Sequence, residues 1–447
     1  MGDPTQARDG HASARGPISD VTGRVLSFVV PAMPTQLAPA PSGLDEVARP
    51  PWLDQIQKSP PPGLGEPEAM PPWSDEMVPV PPALDETIFT GARWMDEVNQ
   101  LVHYSDALNM TKGEDITVAV LDTGCFVEHR DFSPSTLRIV AGVNCMTETV
   151  GGDITDATGH GSHVAGVLAA NGVHIGLAPA CRLVPVKVLS GTKADDGAAI
   201  GTAIARGLNW VLDNADTFAI SVVCLSVGDN GNYDNDQDFA GNAITEAVQA
   251  LAARNIPVAA AAGNLYGLFA RDTAAQGMCF PAILREAISV GAVYDQPCDD
   301  FAGRPCRLGA DYGSPSTDSS RPDQLAIYTQ RMEKVTDDQC GTDIFAPGSW
   351  VRSTGIDGDG GSSVVTEGTS EAAPIVAGVI ALLQSLHLKR TGERRPPIAM
   401  LRSVLRRSAR TILDNSLVTS CPVTNKSFRR VDAFAALKQL ELDMATS

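Results

Sequence analysis

Five apolar runs of strand length are spaced along the middle of the chain. They are continuous and do not alternate with polar residues, which is typical of strands buried on both faces of a sheet. The runs cover residues 114–122, 181–189, 219–227, 256–263 and 287–293. Two helical stripes lie between them, formed by Ile200, Ile204, Leu208 and Val211 and by Ile244, Val248 and Leu251. Strands that alternate with helices predict a parallel α/β sheet.

The amino-terminal part of the chain has a different composition. Residues 31–82 hold fifteen prolines, too many for helix or sheet interiors, so residues 1–84 are predicted to form an extended, mostly disordered arm before a domain at 85–447. The arm also repeats with a period of about ten residues. The repeat units are "PSGLDEV", "PPWLDQI", "PPGLGEP", "PPWSDEM" and "PPALDET". They are either a drifted spacer or docking units for a partner or for the protein's own cleft.

Charge and cysteine content narrow the classes of protein that remain. A formal net charge of -19 argues against nucleic acid or an anionic membrane as the main partner. No apolar run is expected to reach the roughly 18 residues that span a bilayer, and no secretory signal is expected at the amino end. Nine scattered cysteines, an odd number, favour a reducing compartment, so a cytoplasmic location is predicted.

Four short motifs place polar side chains at strand ends or helix starts. They are "VLDTG" with Asp122, "GHGSHVAG" with His160, "AAGN" with Asn264 and "GTSEAAP" with Ser370. Because ligands gather beyond the carboxyl ends of parallel strands, these residues are expected to lie close together. Taken singly, Asp122 could be a strand-end cap and Ser370 a helix cap. His160 and His163 lack a third ligand at metal-binding spacing, so no metal is predicted there.

Together the four residues fit nucleophilic catalysis. A serine hydroxyl needs a base, and that base needs a carboxylate to fix its tautomer, roles that Ser370, His160 and Asp122 would fill. The Asn264 amide and the Ser370 backbone N–H would stabilise the oxyanion. The small residues around Ser370 are expected to leave it open to a substrate.

In this order the four motifs resemble those of the subtilisin-like serine proteases, over roughly residues 85–440. The resemblance implies a three-layer α/β sandwich with a mainly parallel sheet of about seven strands. It implies an endopeptidase acting on proteins or peptides, with Asp122, His160 and Ser370 as the triad and Asn264 as oxyanion donor. It also implies that the edge "CLSVGD" pairs with the substrate. The substrate-binding residues would then be Ser226, Val227, Gly228 and, at the base of the pocket for the side chain before the cut, Cys279.

Several segments depart from the family pattern. Asp131 matches one customary calcium ligand, but the loop at 169–179 is short, which argues against a structural calcium ion; no cofactor is required for the chemistry. The acidic loop at 229–239 is either a cation site or a solvated loop. An insertion near 294–340 is either a surface loop or a disulfide or metal clip. Glu371 replaces an apolar neighbour of the serine, for no reason evident in the sequence.

Two functions follow from these observations. The first is an intracellular processing endopeptidase, restrained by the proline-rich arm lying across the cleft. The alternative is a peptide-binding scaffold that keeps the fold, is regulated by the arm and does not cut. An α/β-hydrolase is excluded because its serine precedes the other triad members, whereas Ser370 comes last.

Overall fold

The computed structural model describes residues 28–29, 78–79, 95–133, 138–147, 152–191, 197–270, 275–295, 321–336, 338–357, 360–415 and 422–446. Its strands are β1 Phe28–Val29, β2 Val78–Pro79, β3 Thr117–Asp122, β4 Val143–Asn144, β5 Arg182–Lys187, β6 Ile220–Leu225, β7 Gly228–Asp229, β8 Val258–Ala261, β9 Ile288–Val293, β10 Ile344–Pro347, β11 Val351–Thr354, β12 Ser363–Thr366, β13 Arg410–Leu413 and β14 Ser427–Arg430. Its helices are α1 Asp96–Val102, α2 Tyr104–Ala107, α3 His160–Ala169, α4 Gly197–Asn214, α5 Ala243–Ala253, α6 Tyr266–Phe269, α7 Thr369–Thr391, α8 Ile398–Ser408 and α9 Ala433–Thr446.

A nine-stranded sheet forms the centre of the fold, in the order β13-β14-β10-β9-β8-β6-β3-β5-β4. Every neighbouring pair is parallel except β13 with β14. The five predicted runs form β3, β5, β6, β8 and β9, which confirms the parallel α/β class. The strands from β10 to β4 make up the expected seven, and the β13–β14 pair after α8 extends the sheet to nine.

Helices cover both faces of this sheet, which confirms the three-layer arrangement. One apolar core contains residues of α3, α7, α8 and α9. The other contains the two stripes identified from the sequence, now on α4 and α5. Because parallel strands bury both faces, the central strands β3, β5, β6 and β8 contribute to both cores.

Helix α7 corrects one expectation. Its length and composition would allow it to cross a membrane, although small alanines, glycines and serines interrupt its apolar pattern. However, 94% of its most apolar stretch of 18 residues is buried inside the protein. It is therefore the central core helix, and it brings its first turn to the carboxyl ends of the strands.

Two short strands of the arm pair with the folded domain. Phe28 and Val29 of β1 run antiparallel to Asp229 and Gly228 of β7. Val78 and Pro79 of β2 add to the edge of β12, forming a small sheet with β11. All five predicted repeat units, and Cys298 and Cys306 of the predicted insertion, lie outside the described residues. The domain boundary at residue 84 stays a prediction.

Candidate active site

Asp122 and His160 meet at the carboxyl edge of the sheet. Asp122 is the last residue of β3 and His160 is the first of α3. His160 Nδ1 lies 2.7 Å from Asp122 Oδ1, which also accepts the backbone N–H of Thr123 at 2.7 Å. Both side chains are buried. A buried carboxylate in this position fixes the imidazole ring and favours a proton on Nδ1.

Asp156, which the sequence analysis missed, holds the start of α3 in place. Its Oδ1 accepts the backbone N–H of Gly159 at 2.8 Å and the hydroxyl of Thr123 at 2.9 Å. Its Oδ2 accepts the backbone N–H and the hydroxyl of Ser162, at 2.8 Å and 2.7 Å. A carboxylate that satisfies N–H groups in a first helical turn acts as a cap. It therefore links Gly159 and Ser162, which precede and follow His160 in the chain, to Thr123 directly after β3.

Ser370 is the second residue of α7, and its backbone carbonyl has an unusual partner. Pro374, four residues on, has no N–H to donate to that carbonyl, as a helix would normally provide. The Ser226 hydroxyl donates to it instead, at 2.9 Å. Ser226 therefore replaces the missing backbone donor and holds the Ser370 backbone in place. Ser370 is only 2% exposed, so it is closed off here and not open as expected.

Glu371 receives the hydrogen bond that the Ser370 hydroxyl donates. The distance from Ser370 Oγ to Glu371 Oε2 is 3.1 Å, and Thr366 Oγ1 donates to Glu371 Oε1 at 2.7 Å. The carboxylate is fully buried. Burial raises the pKa of Glu371, while the attraction of His160 opposes that rise. This neighbour of the serine is thus a polar member of the site.

Asn264 lies on the opposite side of the serine turn, just after β8. Its Oδ1 accepts both the backbone N–H and the hydroxyl of Thr369, each at 2.9 Å, and this fixes which way the amide faces. A Cβ built on Gly368 would lie 3.2 Å from Asn264 Nδ2 and 2.8 Å from Ser370 Oγ. Amide and hydroxyl thus border one small space that only glycine leaves open, as an oxyanion site requires.

The residues predicted to bind substrate have different surroundings. The Ser226 hydroxyl is occupied by Ser370, and Val227 is buried in the core beside α4 and α5. Gly228 lies at the edge paired with β1. Cys279 Sγ lies directly against Gly228, where a Cβ would collide with it, and donates to the Ala261 carbonyl at 3.2 Å. Burial, with the negative charge of Asp229, holds the pKa of Cys279 well above its usual range, so the thiol stays protonated.

The surroundings of Asp131 do not fit a calcium ion. Its Oδ1 accepts the backbone N–H of His174 at 2.7 Å. Its Oδ2 lies 2.6 Å from His174 Nδ1 and 2.6 Å from the hydroxyl of Thr354. Calcium needs six to eight oxygen ligands. Here donor groups face both oxygens of the carboxylate, so a cation would have to displace them.

Other candidate metal and disulfide sites are also accounted for within the described residues. Asp236 of the acidic loop forms a two-pronged ion pair with Arg285, at 2.6 and 2.7 Å. No group of three or more histidine, cysteine, aspartate or glutamate side chains suited to a metal occurs in the described ranges. The six cysteines described there are free, and Cys340 of the predicted insertion is one of them.

The fold and the arrangement of these side chains define the class. A parallel α/β sheet with an Asp–His pair, an amide and a helix-start serine at one edge is the architecture of a serine hydrolase. The chain matches the subtilase family over residues 113–431, and it belongs to that family.

Individual relatives agree with this assignment. The chain is 28% identical over 323 residues to subtilisin-like protease 3 of Pseudogymnoascus destructans, covering 70% of this chain and 64% of that protein. It is 30% identical over 280 residues to the major intracellular serine protease of Bacillus subtilis, covering 61% and 70%. It is 30% identical to an intracellular serine protease of Paenibacillus polymyxa, covering 62% and 69%. The chain thus spans about two thirds or less of several relatives that it matches.

Proposed function

We propose that the protein is a serine endopeptidase with Asp122, His160 and Ser370 as its triad. The 2.7 Å contact between His160 Nδ1 and Asp122 is the observation that carries this proposal, because it is the contact that prepares an imidazole to act as a base. Membership in the subtilase family and relatives named as proteases support it.

The proposed reaction uses these groups in turn. Ser370 Oγ attacks the carbonyl carbon of a peptide bond, and its proton passes to His160 Nε2. The Asp122 carboxylate stabilises the imidazolium that forms. Asn264 Nδ2 and the Ser370 backbone N–H would donate to the oxyanion in the space beside Gly368. The imidazolium then protonates the leaving amine, and water hydrolyses the acyl-enzyme by the same steps.

Labelling with a fluorophosphonate tests this function and separates it from the alternative, a scaffold that binds peptides without cutting them. The reagent should label the wild-type protein, and Ser370→Ala should abolish labelling without changing the fold. Ser385→Ala, on the same helix but bonded to Glu114 and Thr111, is the matched control and should still label. A protein that binds peptides but stays unlabelled both as the full chain and after deletion of residues 1–84 would favour the scaffold.

The arm is proposed to restrain the enzyme by occupying its substrate edge. Two observations support this: β1 pairs with Gly228 and Asp229, and Ser370 is almost inaccessible. Deleting residues 1–30 removes β1 alone, whereas deleting residues 1–84 also removes β2. Both deletions should raise the cleavage rate of a short peptide by similar factors. A rate increase seen only with the longer deletion would place the restraint elsewhere in the arm. No rate increase with either deletion would contradict restraint by the arm.

Cys279 is proposed to make the pocket before the cut shallow, so that small or medium side chains are preferred. The contact of its sulfur with Gly228 supports this position. Cys279→Gly should shift the preference of the enzyme in a peptide library toward larger residues. An unchanged preference would contradict the proposal.

Two further properties are proposed. The donors around Asp131 favour an enzyme that needs no calcium at this position, and no cofactor enters the reaction. A cytoplasmic location is supported by two relatives named as intracellular and by the free cysteines of the described residues. Fractionating cells that express a tagged chain would test the location.

A further inference from the structure

Glu371 belongs to a buried chain of hydrogen bonds that the proposed reaction does not use. The chain runs from Ser370 to Glu371, to Thr366 and to His163 of α3. Thr366 Oγ1 donates to Glu371 Oε1 at 2.7 Å and lies 3.3 Å from Nδ1 and 3.2 Å from Nε2 of His163. At its far end, His163 Nε2 lies 3.0 Å from the carbonyl of Val351. All four side chains are buried.

His163 brings no charge to Glu371. Its Nε2 faces the carbonyl of Val351, and burial lowers the pKa of His163 to about 3, which keeps the ring neutral. His163 Nδ1 lies 3.6 Å from Glu371 Oε1, so this neighbour supplies no positive charge that would stabilise a carboxylate. Burial of Glu371 therefore favours its protonated form.

The charged and titratable groups around Glu371 shift its pKa in both directions. Burial and the negative charge of Asp122 raise the pKa of Glu371, and the positive charge of His160 and the hydrogen bonds from Thr366 and Ser370 lower it. Tyr328 also interacts with Glu371 and with Glu367, and burial holds the pKa of Tyr328 well above its usual range. The phenol therefore stays neutral.

We propose that Glu371 is a positioning residue that controls the nucleophile through its own protonation. As a carboxylate it competes with His160 for the Ser370 hydroxyl proton and places a negative charge beside the space where the oxyanion would form. A Cβ built on Gly368, at the border of that space, would lie 2.8 Å from Glu371 Oε2. As a carboxylic acid, Glu371 is a weaker acceptor and leaves the proton to His160. The active form thus carries a neutral Glu371. This inference rests on the proposed triad.

The pH dependence of fluorophosphonate labelling and of kcat/KM on a short peptide tests this role. In the wild type both rates should fall where Glu371 loses its proton, which burial moves above the usual range of a glutamate; this decrease on the high-pH side is the alkaline fall. Glu371→Gln has the same shape without the charge, so the alkaline fall should disappear. Above that pH this variant should react about tenfold faster than the wild type, as expected when a charge-assisted competing hydrogen bond is removed. The same alkaline fall in both proteins would overturn the role.

Thr366→Val provides a second variant that keeps the Ser370–Glu371 contact. It removes a hydrogen bond that lowers the pKa of Glu371, so the alkaline fall should move to higher pH. A packing defect would lower the rate equally at every pH and leave the fall in place, which would contradict the proposal. If Glu371→Gln does not fold, the pH profile of Thr366→Val tests the role of Glu371 by itself. Absence of Ser370-dependent labelling at every pH, in the full chain and after deletion of residues 1–84, would overturn the triad and this role together. Labelling with unmoved pH profiles would overturn this role alone.

Discussion

Two buried aspartate–histidine pairs lie at opposite ends of α3, Asp122–His160 at its first residue and Asp131–His174 just beyond its last, and they differ in how many of their polar atoms have hydrogen-bond partners. The Asp131–His174 contact is 2.6 Å and the Asp122–His160 contact is 2.7 Å. In the first pair both carboxylate oxygens have protein donors, and His174 Nε2 lies 2.8 Å from the hydroxyl of Ser363. In the second pair Asp122 Oδ2 has no hydrogen-bond partner among the described residues.

This difference, more than the contact distance, distinguishes the Asp131–His174 pair from the pair proposed to be catalytic. Burial opposes ionisation of Asp131, but hydrogen bonds from His129 and His174 outweigh it and hold its pKa well below the usual range. A carboxylate so well satisfied has little to gain from a change in the charge of its partner. An incompletely satisfied carboxylate such as Asp122 still gains from an imidazolium that forms during a reaction. The comparison therefore predicts opposite consequences for the same substitution at the two sites.

The largest effect is expected for Asp122→Asn. The amide would favour the wrong tautomer of His160, so kcat should fall about ten-thousandfold, as for the equivalent change in other triads. Steady-state kinetics on a peptide substrate measures the loss, and the unfolding midpoint should move less than in Asp131→Asn. A variant with near-normal kcat would contradict the role of Asp122.

Asp131→Asn should show the reverse pattern. Asparagine keeps one acceptor oxygen but places an NH2 group against the donors that the other oxygen accepts, and a buried donor left without an acceptor typically costs about 1 to 3 kcal/mol. Urea denaturation should show this loss in the free energy of unfolding, while the folded fraction keeps its kcat. If the variant instead lost activity without losing stability, the distinction between the pairs would be wrong.

The sequence predicts the residues of the candidate site better than it predicts the residues that hold them in place. Asp122, His160, Asn264 and Ser370 lie in local motifs at strand ends, and the parallel topology brings such ends together. Asp131 and His174 are 43 positions apart, so their contact depends on packing that no local pattern records. The extra strands β13 and β14 are short and pair only with each other and with the sheet edge. One sequence feature points to a contact such as that of Ser226. Pro374 has no N–H to donate to the Ser370 carbonyl, so another donor is needed there.

A smaller effect concerns acid stability. Burial lowers the pKa of His163 from 6.5 to about 3, so between these values the unfolded chain binds a proton that the folded protein does not. The contribution of His163 to stability should therefore fall as the pH drops from 6.5 toward 3, with a slope of at most about 1.4 kcal/mol per pH unit. Glu371, whose pKa is raised, contributes a slope of the opposite sign above the usual range of a glutamate, so the part due to His163 is measured as a difference between variants.

The variant His163→Gln checks this assignment and separates it from the Asp131 pair. It should reduce the slope measured by urea denaturation above about pH 5, where aspartates are ionised in both states. Asp131 has a lowered pKa, so its contribution is lost only as the pH falls below the ordinary range of aspartate. An unchanged slope above that range would assign the proton uptake to another group.

The smallest expected effect is that of calcium removal. A ligand that binds only the folded protein at a hundred times its Kd adds about 2.7 kcal/mol of stability, so a calcium site would be easy to detect. Because His174 and Thr354 already donate to Asp131, neither a chelator nor excess calcium should move the unfolding midpoint of the wild type through this position. His174→Ala removes a donor and tests whether the histidine is what excludes the ion. An unfolding midpoint that depends on calcium in this variant alone would show that His174 takes the place of a cation. If the midpoint of the wild type depends on calcium and Asp131→Asn abolishes that dependence, calcium binds at Asp131 despite the His174 contact.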